Sequence, residues 1–320
     1  LHQTTDRFVS GKLATRTDTL NTVINSRGDA EEQNITTSQT DETGLVASLK
    51  VTSFQVLKKR TFDSNHNVTN QFILTYTNVS KSDLKDAQEI RSTGFTSSGV
   101  AVNQVIATYS DAAKTSLIDC KVIYNEVVNP QGYVEKSIVT TYFAAVVNEL
   151  GDITYSKESD KTVTVTTSFD NRGNALIQDI KKYYYDDKSA AADKEIFYEH
   201  QGIVNSGYDF HDFAGTSVIT SYKDISNADI SQVQTIKYLT RDRFGNALTQ
   251  TIDARDADGV LIDHKSITNV YVGDLAAMKG NAKTSEVMRY SDIAGTSLIE
   301  RTFTETLAFD LKGNALHQTT

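Results

Sequence analysis

The chain has 320 residues, a formal net charge of −9 with a pI near 5.2, and an apolar content of 38%. That acidic balance excludes a nucleic-acid surface, which needs basic patches against phosphate, and no apolar run reaches the ~20 residues of a membrane-spanning helix. A single proline, where average usage of about 5% would give about sixteen, and no tryptophan beside 15 tyrosines and 13 phenylalanines point to continuous backbone pairing, with turns made by Gly, Asn and Asp.

The chain opens Leu1-His2-Gln3, with neither an initiator methionine nor a signal peptide, as expected of a segment of something longer. Gly28-Asp29-Ala30-Glu31-Glu32-Gln33 is the first copy of a block that returns four times. Its Arg27-Gly28-Asp29 spells an integrin-binding tripeptide, but the glycine belongs to the repeated turn, so a structural role is expected. Asn34, Asn67 and Asn78 open glycosylation sequons, common in a threonine-rich chain. Hairpin turns are expected at Asp63-Ser64-Asn65-His66 and Asn129-Pro130-Gln131-Gly132. Helical turns are expected in the linking stretches Ser82 to Ile90 and Asp274 to Lys279.

Next in order come Gly99-Val100-Ala101-Val102-Asn103-Gln104 and a strand over Val102 to Tyr109. Tyr109-Ser110-Asp111-Ala112-Ala113-Lys114-Thr115-Ser116-Leu117-Ile118 starts a second block, answered by Asp212-Phe213-Ala214-Gly215-Thr216-Ser217-Val218-Ile219 and by Tyr290 to Ile299. Cys120, the sole cysteine, lies in an alternating run and reads as a buried thiol; no internal disulfide can form. The alternation Thr162 to Phe169 predicts a strand. It leads into Phe169-Asp170-Asn171-Arg172-Gly173-Asn174-Ala175-Leu176-Ile177-Gln178, the clearest block, which returns as Arg241-Asp242-Arg243-Phe244-Gly245-Asn246-Ala247-Leu248-Thr249-Gln250 and Phe309-Asp310-Leu311-Lys312-Gly313-Asn314-Ala315-Leu316-His317-Gln318.

Asp three residues before Gly is a turn signature: the carboxylate bonds backbone two residues on, and glycine supplies positive φ. The block glycines, Gly28, Gly99, Gly173, Gly245 and Gly313, are spaced 71, 74, 72 and 68 residues apart. The divisions that follow are 1–27 as a partial repeat, 28–98, 99–172, 173–244 and 245–312 as four repeats, and 313–320 as the start of the next. Each unit of about 71 residues holds about two hairpins and the chain eight or nine, all-β, each hairpin stabilised by its neighbours as in a solenoid or spiral sheet. The repeat positions expected to matter are the turn residues Gly28, Gly99, Asp170, Gly173, Asn174, Asp242, Gly245, Asn246, Asp310, Gly313 and Asn314, with the glutamines Gln33, Gln104, Gln178, Gln250 and Gln318. Leu1-His2-Gln3-Thr4-Thr5 is identical to Leu316-His317-Gln318-Thr319-Thr320, which suggests a parent repeating every 315 residues.

The run Asp242 to Asp253, followed by Asp256-Ala257-Asp258-Gly259, resembles the YD repeat of Rhs and teneurin-type proteins, with Phe169-Asp170 and Phe309-Asp310 carrying Phe in place of Tyr. The resemblance implies hairpins wound into a long spiralling sheet, which in toxins closes into a hollow shell. This chain inserts Ala before the Leu, and the family's self-cleaving core domain is not seen.

Catalytic and metal constellations are sparse. The six histidines, His2, His66, His200, His211, His264 and His317, have no metal-site spacing. Asp209-Phe210-His211-Asp212 reads as a polar loop, and Asp253 to Asp263 fails the calcium-loop register at Ala254 and Lys265. No catalytic pair and no cofactor are expected, although calcium in other loops would suit an extracellular location. The expected function is therefore non-enzymatic: a structural segment of a fibre, stalk or sheath outside the cell, its partner being itself or like chains. The alternatives are an Rhs-type encapsulating shell, or an adhesin or carbohydrate-binding module with Tyr183-Tyr184-Tyr185 as its aromatic surface.

Overall fold

The computed structural model describes residues 1–148, 151–189 and 194–320. Positions 149, 150 and 190–193, which fall inside the expected second and third units, lie outside the described residues. The described chain is all-β, with 19 strands in one sheet that does not close into a barrel. The strands are β1 (His2–Val9), β2 (Lys12–Ile24), β3 (Ala30–Gln39), β4 (Lys50–Phe62), β5 (Val68–Tyr76), β6 (Leu84–Phe95), β7 (Ala101–Tyr109), β8 (Leu117–Val128), β9 (Val134–Val147) and β10 (Ile153–Phe169). They continue as β11 (Ala175–Tyr185), β12 (Glu195–Ser206), β13 (Thr216–Tyr222), β14 (Ile230–Arg241), β15 (Ala247–Arg255), β16 (Leu261–Val270), β17 (Thr284–Tyr290), β18 (Leu298–Phe309) and β19 (Ala315–Thr319). Each strand runs antiparallel to the next, from the pair His2↔Leu20 on β1–β2 to Thr306↔Gln318 on β18–β19. Nineteen strands make nine hairpins and one strand more, in line with the eight or nine expected.

Among the described residues helix is confined to the five-residue α1 (Asp274–Met278) and a single 3-10 turn at Val46–Ser48. The expected helical turn at Asp274 is present, whereas Ser82 to Ile90 lies mostly in β6. There the loop is closed instead by Lys81, held at φ 60° while its N–H bonds Asn78 O at 3.2 Å. Nothing in a lysine announces that conformation, because side chains with Cβ are uncommon at positive φ.

Two compact units divide the chain, Leu1–Thr164 with Tyr183–Ile196, and Val165–Lys182 with Phe197–Thr320. In the first, cross-strand rows build a core on one face of the sheet. One row runs Val56, Leu74, Ala87, Tyr109, Leu117 and the next runs Phe72, Glu89, Ala107, Cys120, Tyr142, each residue opposing the following one in register. Tyr142, Ala145, Val147 and Ile153 pack onto this cluster, while Leu57, Ile73 and Ile90 form a smaller one. Small residues occupy its centre: Ala107 and Cys120 are fully buried. Burial raises the Cys120 thiol to about 11, so it stays protonated and unreactive. In the second unit the buried apolar residues are Ala254 and Ala277, with His200, Asp263 and Thr306 among the buried polar ones.

Candidate functional site

The repeated turn residues sit at the turns that follow even-numbered strands, and the repeat glutamines lie within the strands after them. The tightest of these turns begin at Asn25, Asp63, Thr96, Asn129, Asp170, Asp209, Asp242 and Asp310, each first residue accepting a bond from the N–H three residues on. The block glycines sit in every second turn of this series; His66 and Asp212 stand at the same place in two of the others, at φ 66° and 68°. Asp170 shows the chemistry. Its Oδ1 accepts the N–H groups of Arg172 at 2.8 Å and Asn174 at 2.9 Å, and its Oδ2 accepts the Asn174 amide at 2.9 Å. Asp242 holds Phe244 and Asn246 in the same way, and Asp310 holds Lys312 and Asn314.

Successive turns also bond one another. In the first unit Arg27 donates to Asp63 O at 2.9 Å, and His66 Nδ1 lies 2.5 Å from Asp29 Oδ1. In the second, Arg172 donates to Asp209 O at 2.8 Å, the same reach from the same turn position. Asn174 bonds Asp212 at 3.0 Å, and Asn246 bonds Ala277 O at 2.6 Å. Gly245 is required twice over: its φ is 88°, and a Cβ there would sit 2.6 Å from the Phe213 ring of the preceding turn. The Arg27-Gly28-Asp29 tripeptide is consumed by this stacking, since Asp29 is buried under His66.

The glutamines act between strands. Each stands across the hairpin from the residue twelve earlier: Gln33 donates to Asn21 at 2.7 Å, Gln104 to Ser92 at 3.1 Å, Gln178 to Thr166 at 3.3 Å and Gln318 to Thr306 at 3.0 Å. Gln250 opposes Tyr238. The block alanine has a role that sequence alone did not disclose. Its carbonyl accepts a side-chain amide or guanidinium from the following strand: Asn125 on Ala101 at 2.8 Å, Asn205 on Ala175 at 3.2 Å, Asn269 on Ala247 at 3.1 Å, and Arg60 on Ala30 at 2.9 Å. The asparagines lie 22 to 30 residues from their alanines, beyond the span of the repeated block, so no local pattern marks them.

The second block is equivalent in two of its three copies. Asp111 accepts Thr115 and Ser116 N–H between β7 and β8, and Asp292 accepts Thr296 and Ser297 N–H between β17 and β18. The Asp212 to Ile219 stretch instead joins β12 to β13, after an even-numbered strand, so its likeness is one of sequence alone. The stretch Asp253 to Asp263, which fails the calcium-loop register in sequence, holds the turn Asp256 to Val260, with Asp256 Oδ1 accepting the Asp258 and Val260 N–H groups.

Three further features carry polar chemistry. The buried His200 has Nε2 2.7 Å from Asp179 Oδ2 and Nδ1 3.1 Å from Asp224 O, so both ring nitrogens face acceptors. His264 Nδ1 lies 2.6 Å from Asp253 Oδ1. A cavity of about 450 Å³ in the first unit is lined by Glu31, Arg60, Glu89, Arg91 and Lys114, among others. Its buried Glu89 is already paired with Lys114 at 2.8 Å and Arg91 at 3.3 Å.

No protein-family model matches the chain, and no curated protein matches it. Two solved structures show weak likeness. One is a Bacteroides fragilis protein of unknown function, with a TM-score of 0.16 and 14% identity over 62% of this chain and 90% of the other. The second is the Photorhabdus luminescens Tc holotoxin pore, with a TM-score of 0.17 and 13% identity over 95% of this chain and 20% of the other. Scores of this size establish no shared fold with either, and the argument rests on the chain's own geometry.

Proposed function

We propose that this chain is a structural repeat segment of a larger extracellular or cell-surface protein, its hairpins wound into a spiral or solenoid-like sheet that serves as a fibre, stalk or sheath. Its role is mechanical rather than catalytic, and its partners are adjacent repeats or like chains. The observation that carries this reading is where the repeated side chains go. The turn aspartates close their own turns, Arg172 and Asn174 reach from there to the next turn, the glutamines bond the preceding strand across the hairpin, and the alanine carbonyls accept from the following strand. A repeat kept for ligand binding would instead direct its recurring polar groups at a shared pocket or face. Bonds between neighbours are what a repetitive array needs, because each hairpin is marginal alone and draws its stability from those beside it.

Negative-stain imaging of the native, untruncated protein tests this. Continuous filaments with a regular axial repeat are expected. Closed hollow particles would overturn the fibre reading in favour of an Rhs-type encapsulating shell.

A further inference from the structure

The strands β1 and β19 share the residues Leu1–Thr5 and Leu316–Thr320, and the structure gives that identity a geometry. β19 is the eighteenth strand after β1, an even number, so the two hold the same place in the alternation of the meander. Their bonding is complementary. β19 uses one edge for β18, where Gln318 donates to Thr306 at 3.0 Å. β1 uses the opposite edge for β2, where Asn21 N–H bonds Leu1 O at 2.8 Å and Leu1 N bonds Asn21 O at 3.2 Å. Thr4 and His2 of β1 both reach Asp18 on β2, at 2.5 Å and 3.6 Å. Thr319 and His317, their counterparts on β19, are exposed and pair only with β18 in register.

Asn21 supplies an independent sign. Asn125 and Asn269 each sit one residue before the position opposite a block alanine and donate to its carbonyl. The β1–β2 register places Asn21 in that same relation to the residue that would precede Leu1. In the repeat that residue is Ala315, which precedes Leu316. Asn205 shows the full arrangement: its oxygen accepts from Ser217, twelve residues on, while its nitrogen donates to Ala175 O. Asn21 has the first half, its oxygen accepting from Gln33, also twelve residues on.

We infer that β1 and β19 are one strand position in a period of 18 strands and 315 residues, and that the outer edge of β19 receives β2 of a following copy of this chain. In that junction Leu316 exchanges backbone bonds with Asn21 of the following copy, the Asn21 side chain donates to Ala315 O, and Thr319 and His317 meet Asp18. The inference rests on the repetitive-array reading above and adds to it the partner strand and its register.

The test joins two full copies through the shared five residues, so that Leu316–Thr320 of the first serve as Leu1–Thr5 of the second, and follows amide hydrogen exchange against the single chain. Leu316 and Gln318 N–H groups, which face away from β18, are expected to slow at least tenfold, with His317 and Thr319 keeping the protection that β18 provides. Asn21→Ala in the second copy should speed exchange at Leu316, whereas the same substitution in the first copy should not. If either set of amides exchanges freely in the joined protein, the strand serves one copy only and the inference falls. A protected junction in a protein whose native form makes no filaments would sink the functional reading alone. Filaments with an open junction would sink only the inference.

Discussion

At Asp170 one carboxylate satisfies two backbone N–H groups and one side-chain amide. All three bonds favour the charged form. Burial opposes ionisation of Asp170, but the bonds from Asn174 and Arg172 outweigh it and hold the group below the ordinary carboxylate range. The Asn67 amide does the same for Asp63, the Thr115 backbone N–H for Asp111 and the Asn314 amide for Asp310. The backbone N–H of Thr296, helped by Ser297, takes Asp292 down to about 2. A carboxylate whose folded pKa is depressed contributes stability that is full above its unfolded pKa and lost as pH falls through the folded value. For Asp292 that window runs from the ordinary 3.8 down to about 2. Stability should therefore hold down to about pH 4 and then fall progressively towards about pH 2, by a modest amount because these carboxylates face solvent. Asp111, Asp170, Asp292 and Asp310 replaced together by Asn should flatten that drop. Equal acid slopes for the two proteins would show that the turn carboxylates do not govern acid unfolding.

At the scale of the hairpin, the glutamine is the counterpart of the turn. A turn fixes where the chain reverses, and a cross-strand bond twelve residues from its partner fixes which residues then oppose each other. That second lock matters because slipping a strand by one residue moves its whole apolar set to the other face. Gln178→Ala removes the bond to Thr166, and a net cost of about 1 kcal/mol is expected from the usual worth of such a bond. Thr166→Ala should cost about as much, since Thr166 is buried, and the two losses should not add. Additive losses in a double-mutant cycle would mean that the pair does not interact. The turns and strands of these hairpins are legible in sequence because Asp, Gly and alternation act locally. The true step is harder to read. The repeated block marks only alternate turns: of those between, one keeps a glycine, Gly132, outside any copy of the block, two hold His66 and Asp212 at positive φ in its place, and α1 replaces one outright. The asparagines that bind the alanine carbonyls escape notice for a related reason: their spacing follows strand length, which differs from hairpin to hairpin.

For the molecule as a whole, the uneven placement of apolar burial decides how it comes apart. Among the described residues, every buried apolar side chain belongs to the first unit except Ala254 and Ala277. Burying a side chain such as Phe72 or Leu74 contributes about 1.5–3 kcal/mol, while an alanine offers little more than one methyl group. The second unit depends correspondingly more on its ladder of backbone bonds and on pairs such as His200 with Asp179. Antiparallel strands that bond only their sequence neighbours transmit stability step by step, so such a sheet has no single core to impose all-or-none unfolding. Native-state hydrogen exchange at rising denaturant should accordingly resolve two classes. Amides of β4 to β8 should stay protected to the highest concentrations, because opening them exposes the Phe54, Phe72 and Leu74 cluster. Amides of β13 to β18 should exchange through smaller openings at lower denaturant. Phe72→Ala, expected to cost about 3–5 kcal/mol, should erase most of the difference by lowering the first class towards the second. A single merged isotherm for both sets in the unsubstituted protein would instead mean that the ladder couples all strands as tightly as the core does, and that apolar burial is not what separates them.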